Sequence, residues 1–126
     1  MSNAPTVLMN LVPLVRATVR SATSGNLATT VTPDDSGSLF ISLTTGTHAY
    51  TLPAVADSKG KHYIFFDGET TQAITVASPA ANIMGVDSAT GTTLTGGGLV
   101  GDCALIIGDG TNYFFFNIGQ GNWTIA

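Results

Sequence analysis

Apolar residues recur at every second position in several short stretches of this chain. Between Leu14 and Arg20, Val15, Ala17 and Val19 fall on one face of an extended strand, and Arg16, Thr18 and Arg20 fall on the other. Alternation of this kind is typical of a half-buried β-strand. No apolar period of 3.6 residues persists beyond a turn or two, so the pattern predicts strands rather than helices.

The same alternation continues through the rest of the chain. From Ser38 to Thr44, Leu39, Ile41 and Leu43 point one way, and His48–Leu52, His62–Phe66 and Gln72–Ala77 follow as further strands. Glycine, proline, aspartate and asparagine clusters separate these runs every 8–12 residues or so, which is typical of an all-β sandwich or barrel. We predict an antiparallel β-sandwich or jelly-roll-like barrel.

The segment from Asp102 to Ile118 predicts the centre of this fold. Asp109-Gly110 suits a tight hairpin turn between Cys103–Ile107 and Tyr113–Ile118. Both strands carry apolar residues on both faces, whereas a strand pair buried on one face alternates apolar and polar. We therefore expect a second sheet on one face and a neighbouring subunit on the other. Asp67-Gly68 predicts a second, similar hairpin, but the resemblance between the two is too weak to indicate a repeat fold.

The first residues predict an extended arm. Thr6–Met9 is apolar and has no turn signal beside it. We divide the chain into residues 1–25, an N-terminal arm with the first strand, and residues 26–126, the β-sandwich domain. The arm residues expected to contact a larger assembly are Val7, Leu8, Met9, Leu11, Arg16 and Arg20. For the two arginines, a solvated strand face is the ordinary interpretation, and contact with carboxylates of another protein is the alternative.

Composition points to a permanent assembly. Charged residues make up 10% of the 126-residue chain, against about 25% in ordinary domains, and the mean hydropathy is +0.32. A monomer of this composition has a weakly charged, partly apolar surface, which favours association. Four basic residues and a net charge of −4 exclude a basic patch for nucleic acid. No apolar stretch reaches the ~18–20 residues of a membrane-spanning helix.

Candidate chemistry is sparse. The sequence has no phosphate-binding loop and no nucleophile elbow. His48 and His62 have no partner at ligand spacing, although a trimer axis could join three copies of one of them around a metal. Asp34-Asp35, or Asp67 with Glu69, could hold calcium, but no loop alternates ligands as calcium sites do. Cys103 is expected to be a buried, inert thiol. We predict no cofactor, no metal and no enzyme activity.

Four short motifs resemble those of bacteriophage virion β-domain proteins, a group that includes capsid decoration proteins and tail-fibre domains. They are Tyr50–Ala54 (YTLPA), Gly60–Phe66 (GKHYIFF), Asn82–Gly85 (NIMG) and Gly108–Tyr113 (GDGTNY). The likeness covers residues 46–126, and Tyr113 stands where such hairpins often have tryptophan. The first 45 residues have no counterpart in the pattern.

The resemblance implies a non-enzymatic virion protein that forms a homotrimer. The small size and the arm favour a capsid decoration (cement) protein on the capsid exterior, with the major capsid protein as its partner. A receptor- or carbohydrate-binding module of a tail or head fibre is the alternative, and a small hydrolase is a third, weaker one. The residues expected in the core or at the trimer interface are Phe65, Phe66, Tyr113, Phe114, Phe115, Phe116 and Trp123.

Overall fold

Two stacked β-sheets form the described part of the protein. The computed structural model describes residues 15–69, 72–85 and 90–126. Sheet I has seven strands in the order β1-β3-β5-β10-β11-β7-β8, and sheet II has five in the order β12-β9-β6-β4-β2. The strands are β1 (Ala17–Ser21), β2 (Leu27–Thr30), β3 (Ser38–Ser42), β4 (His48–Thr51), β5 (His62–Asp67), β6 (Ile74–Ala77), β7 (Ile83–Met84), β8 (Thr90–Gly91), β9 (Thr93–Thr95), β10 (Cys103–Gly108), β11 (Tyr113–Asn117) and β12 (Thr124–Ile125).

The first six strands wind back and forth between the sheets as three stacked coils. Odd-numbered strands enter sheet I and even-numbered strands enter sheet II, so β1-β2, β3-β4 and β5-β6 each make one coil. Successive coils pair in parallel, with β1 on β3 on β5 and β2 on β4 on β6. Ala17 pairs with Ser38 and Leu27 with His48, which is an offset of 21 residues in both sheets.

The loops that join the sheets stack with the same offset. Gly46 lies against Gly25, and a Cβ at Gly46 would overlap the backbone of Gly25. Asn26 Oδ1 accepts hydrogen bonds from the backbone N–H of Thr47 at 3.0 Å and from its hydroxyl at 3.1 Å. These contacts fix one coil on the next, because the donors of the second loop are satisfied by the first.

The hairpin of β10 and β11 lies between β5 and β7. β10 pairs antiparallel with β5 and with β11, and β11 pairs parallel with β7. Asp109 Oδ1 accepts the N–H groups of Thr111 at 2.8 Å and Asn112 at 2.7 Å. Gly110 has φ +93°, a conformation that glycine adopts at little cost. The turn that the sequence predicts is therefore present, with the loop spanning Asp109–Asn112.

The core fills the space between the inner faces of the two sheets. Its centre is a group of aromatic rings in which Phe40 stacks on Phe65 at 5.3 Å and meets Tyr50 edge-on at 5.5 Å. Tyr50 is also 4.9 Å from Phe65. Aromatic pairs at such distances contribute about 0.5–1.5 kcal/mol beyond their buried area. The buried hydrophobic residues are Val31, Phe40, Tyr50, Leu52, Tyr63, Phe65, Ile74, Val76, Ile83, Leu94, Ala104, Ile106 and Tyr113.

Ser58 joins three distant segments inside this core. Its Oγ is 2.9 Å from the Tyr63 hydroxyl and 2.8 Å from the Tyr113 hydroxyl, and Tyr113 also donates to the Pro53 carbonyl oxygen at 2.5 Å. Burial raises the pKa of Tyr113 to about 12. Tyr63, Ser58, Tyr113 and Pro53 thus form one chain of hydrogen bonds that joins three of the four short motifs inside the fold.

The predicted all-β sandwich is confirmed, but the directions of some of its strands differ from the prediction. Among the described strands, five pairs are parallel (β1–β3, β3–β5, β2–β4, β4–β6 and β11–β7) and five are antiparallel, whereas the prediction was antiparallel throughout. β5 and β6 lie in different sheets, so Asp67-Gly68 does not close a hairpin. The chain instead leaves sheet I there and crosses to sheet II.

The predicted arm divides between described and undescribed residues. Residues 1–14 lie outside the part of the chain that the structure describes. Val15 and Arg16 precede β1, which is the first strand of sheet I and pairs along its whole length with β3. The predicted boundary after residue 25 falls between β1 and β2, two strands of the same coil.

Gly46→Ala tests the stacking of the loops. The added methyl group must displace the backbone of Gly25, so we expect a loss of about 1–3 kcal/mol in the free energy of unfolding. Chemical denaturation measures it. Ser24→Ala is the matched control in the exposed part of the neighbouring loop and is expected to change stability by less than about 0.5 kcal/mol. Equal stability of the two variants would contradict close stacking.

Candidate interaction surface

The central part of the outer face of sheet I is apolar. Each strand alternates between core-facing and outward-facing residues, and paired residues share a face. On β10 the core-facing residues are Ala104, Ile106 and Gly108, which leaves Cys103, Leu105 and Ile107 outward. The outer apolar face lies on the central strands β3, β5, β10 and β11 and consists of Leu39, Ile41, Ile64, Phe66, Cys103, Leu105, Ile107, Phe114, Phe116 and Ile118. By register, Met84 on β7, His62 on β5, and Thr18 and Arg20 on β1 are on the same side of the sheet.

Strand register arranges this outer apolar face in rows across the sheet. In the central row, Leu39 pairs with Ile64, Ile64 with Leu105 and Leu105 with Phe116. Phe116 and Ile118 are 46% and 53% exposed, and every other member except Ile64 is half-buried. Apolar side chains in continuous rows form a patch, and such patches on proteins mark interaction sites.

The outer face of sheet II has the opposite character. Its outward residues are alanine and threonine on every strand: Ala28, Thr30, Ala49, Thr51, Thr75, Ala77, Thr93, Thr95 and Thr124. Threonine favours strands, and its hydroxyl remains compatible with water. The two sides of the sandwich therefore differ, with large apolar side chains on one side and small, hydroxyl-bearing ones on the other.

The structure divides the predicted aromatic set between two environments. Phe65 and Tyr113 are fully buried in the core, and Phe115 and Trp123 are partly buried against it, with ring centroids 5.8 Å apart. Phe66, Phe114 and Phe116 lie on the outer apolar face. Each aromatic residue of β11 thus follows the alternation of its strand.

Several members of the outer apolar face were not among the predicted interface residues. Leu39 and Ile41 on β3 face outward, while Phe40 between them is 2% exposed and lies in the core. Ile64, Leu105, Ile107 and Ile118 were also missed. The signal was present in β10, where both sets of alternate residues are apolar, but it could not identify which set faces out.

The predicted arm residues have different positions. Val7, Leu8, Met9 and Leu11 lie outside the described residues. An Arg16 guanidinium nitrogen donates to the Asp34 carbonyl oxygen, which ties the start of the stack to the turn at Pro33–Asp35. Arg20 is exposed and shares its register position with Ile41. It therefore stands beside the outer apolar face.

Among the described residues, the arrangement that most resembles a catalytic site is the buried pair of Ser42 and His48. His48 Nδ1 is 2.9 Å from Ser42 Oγ, and its Nε2 is 2.7 Å from Thr29 Oγ1. His48 is fully buried, burial lowers its pKa, and its ring stacks on Tyr50 at 4.0 Å. Both ring nitrogens bond to hydroxyls inside the core, so His48 serves as a cross-coil hydrogen-bonding group.

Two buried aspartates face each other across β5 and β10. Asp67 N–H donates to the Asp102 carbonyl at 2.8 Å, and the side chains are 1% and 0% exposed. The Glu69 N–H donates to Asp67 Oδ1 at 3.1 Å, and the Leu99 N–H donates to Asp102 Oδ2 at 3.1 Å. The others, Asp67 Oδ2 and Asp102 Oδ1, have no hydrogen-bond partner. Burial, with Asp102 nearby, raises the pKa of Asp67 to about 6.

The remaining candidates have structural explanations. Asp35 Oδ2 accepts the Thr32 N–H at 2.8 Å and so caps the 3-10 turn at Pro33–Asp35. Burial raises the pKa of Cys103 to about 11, which disfavours the reactive thiolate. Among residues 15–69, 72–85 and 90–126, no three histidine, cysteine or acidic side chains group as metal ligands. No helix in these ranges is long and apolar enough to cross a membrane.

Comparison with family models, with curated proteins and with solved structures finds no match for this chain.

Asp67→Asn tests the buried carboxyl pair. The folded-state pKa of about 6 lies above the usual 3.8, so the protonated form is favoured in the fold. Protonated Asp67 therefore contributes its full stabilisation to the fold below about pH 4, and this contribution is lost as the pH rises through 6. The asparagine variant lacks this loss, and we expect it to gain roughly 2–3 kcal/mol relative to the parent between pH 4 and pH 8.

Urea denaturation at each pH measures that difference. Asp34→Asn, which removes an exposed carboxyl, is the control and should track the parent protein across the range. A constant difference between the Asp67→Asn variant and the parent from pH 4 to pH 8 would show that Asp67 is ionised throughout.

Proposed function

We propose that this chain is a bacteriophage capsid decoration (cement) protein. It forms a homotrimer on the capsid exterior and bridges neighbouring major capsid proteins without enzyme activity. The observation that carries the proposal is the outer apolar face of sheet I, opposite an alanine–threonine face on sheet II. The family resemblance of the four motifs adds the virion context.

The homotrimer uses the outer apolar face as its subunit contact. The ten members of this face are uncharged, so they bring no like charges together when copies of the face meet, and Arg20 lies at its edge on β1. Burying a side chain such as Phe116 contributes about 1.5–3 kcal/mol, so a few such residues per subunit outweigh the cost of association. Phe66, Phe114 and Phe116 are the aromatic residues of this contact.

Attachment to the shell uses the N-terminal segment and the arginines beside β1. Val7, Met9 and Leu11 supply apolar contacts, and an extended segment can add a strand to a partner's sheet edge. Arg16 and Arg20 supply positive charge, which pairs with carboxylates at protein interfaces. Because the protein binds the assembled shell, mass action shifts the equilibrium towards that shell.

The fibre-module alternative receives less support. A sugar- or receptor-binding surface of this type would present tyrosine or tryptophan in a groove. Tyr50, Tyr63 and Tyr113 are at most 1% exposed, and Trp123 packs against the core. A hydrolase receives less support as well, because Ser42 and His48 are both buried.

Phe116→Asp tests the subunit contact. A charge at the exposed end of the central apolar row is expected to convert the trimer to monomer, as measured by light scattering after size-exclusion chromatography. The control is Thr51→Asp, which puts the same charge on the exposed face of sheet II and should leave the trimer intact. A monomeric parent protein, or a trimeric Phe116→Asp variant, would contradict this contact.

Binding to shells tests the function. The purified protein is mixed with capsids that lack it and, separately, with host cells. We expect saturable capsid binding and a raised melting temperature of the shell. Arg20→Glu is expected to weaken binding about tenfold or more, and Lys59→Glu, an exposed charge reversal near the Asp109–Asn112 turn, to have little effect. Binding to cells or glycans alone would support the fibre module instead.

A further inference from the structure

Among the described residues, the stack of coils ends at its first coil. β1 is the last strand of sheet I and β2 is the last strand of sheet II, and they belong to the same coil. Within the described residues, neither has a strand partner on its outer edge. Two adjacent free edges at one end of a parallel stack form a template for a further strand.

Core-facing side chains become more exposed towards this end of the stack. In sheet I, Phe65 and Phe40 are 0% and 2% exposed, but Val19, in register with Phe40, is 37% exposed. In sheet II, Val76 and Tyr50 are buried, and Thr29, in register with Tyr50, is half-buried. Stacked repeats need a capping element where their core ends.

The repeat offset identifies the segment that fits this end. The first two coils are related by 21 residues in both sheets. The same offset applied to Leu27–Thr30 gives Thr6–Met9, which is an apolar run in the sequence. Seven residues, 10–16, then separate this segment from β1, and seven residues, 31–37, separate β2 from β3. The connection therefore has the length that the next coil already uses.

We propose that the free edge of β2 is a docking site for the chain's own Thr6–Met9 segment, which pairs with it in parallel as a sixth strand of sheet II. In that register Leu8 lies over Thr29 and covers the end of the core. Val7 and Met9 stand outward beside Ala28 and Thr30. Leu8 is then a cap of the fold, while Val7 and Met9 remain available for shell contact. The proposal is independent of the capsid role.

An engineered disulfide tests the register with purified protein alone. Val7→Cys with Ala28→Cys is made in a Cys103→Ser background. Neighbouring strands lie about 4.8 Å apart, within the Cα separation of a disulfide. Oxidation is expected to close an intramolecular bond, detected as loss of two hydrogens by mass spectrometry and as faster migration on a non-reducing gel. The control, Val7→Cys with Ala49→Cys, spans two strand spacings and should stay reduced.

Stability of single variants provides the second readout. Leu8→Asp is expected to lower the melting temperature by roughly 5 °C or more, because it buries a charge at the end of the core. Met9→Asp, which faces outward, should change it little. Covalent dimers from the Val7–Ala28 pair would mean that the segment docks on another copy, and that result overturns the proposal. Failure to form any disulfide, or equal melting temperatures for the two aspartate variants, also overturns it.

Discussion

Parallel stacking of successive coils is the constraint on which this protein depends. In each sheet, the core-facing side chains of one coil are buried because the next coil places side chains beside them in the same row. Phe40 and Phe65 are such neighbours in sheet I. The loops obey the same spacing, since Gly46 has room only for hydrogen beside Gly25. Two sheets with a shared core follow from this repetition, and the C-terminal strands complete both sheets.

The sequence was sufficient to predict strands, turns and the two-sheet core. Alternation identified β3 and β6, apolar and aromatic runs identified β5 and β10, and Asp109-Gly110 identified the hairpin. It could not identify strand direction, because parallel and antiparallel strands both alternate with a period of two. Asp67-Gly68 has the composition of a hairpin turn, yet it begins a crossover between sheets. The sequence feature that indicates the parallel stacking is the spacing between Gly25 and Gly46, which equals the 21-residue offset between the first two coils.

The interaction surface was only partly predictable for a related reason. Apolar residues on both faces of β10 and β11 indicated that the hairpin needs cover on two sides. Which residues face outward on β3 and β5 depends on their register with β10, and that register is a property of the folded sheet. Ile64 illustrates this, because it is 6% exposed although it lies outside the core, covered by its neighbours on the face.

The position of the β10–β11 hairpin has a consequence for the order of assembly. β5 and β7 precede it in the chain, yet the hairpin lies between them, so sheet I closes only when the last quarter of the chain has been made. The first two coils pair at an offset of 21 residues, whereas partners on β5 and β10, such as Ile64 and Leu105, lie about twice as far apart in the chain. Long-range pairing of this kind forms slowly. Leu105, Ile107, Phe114 and Phe116 belong to this hairpin, so a subunit in which it has not yet docked does not present the complete outer apolar face to its copies.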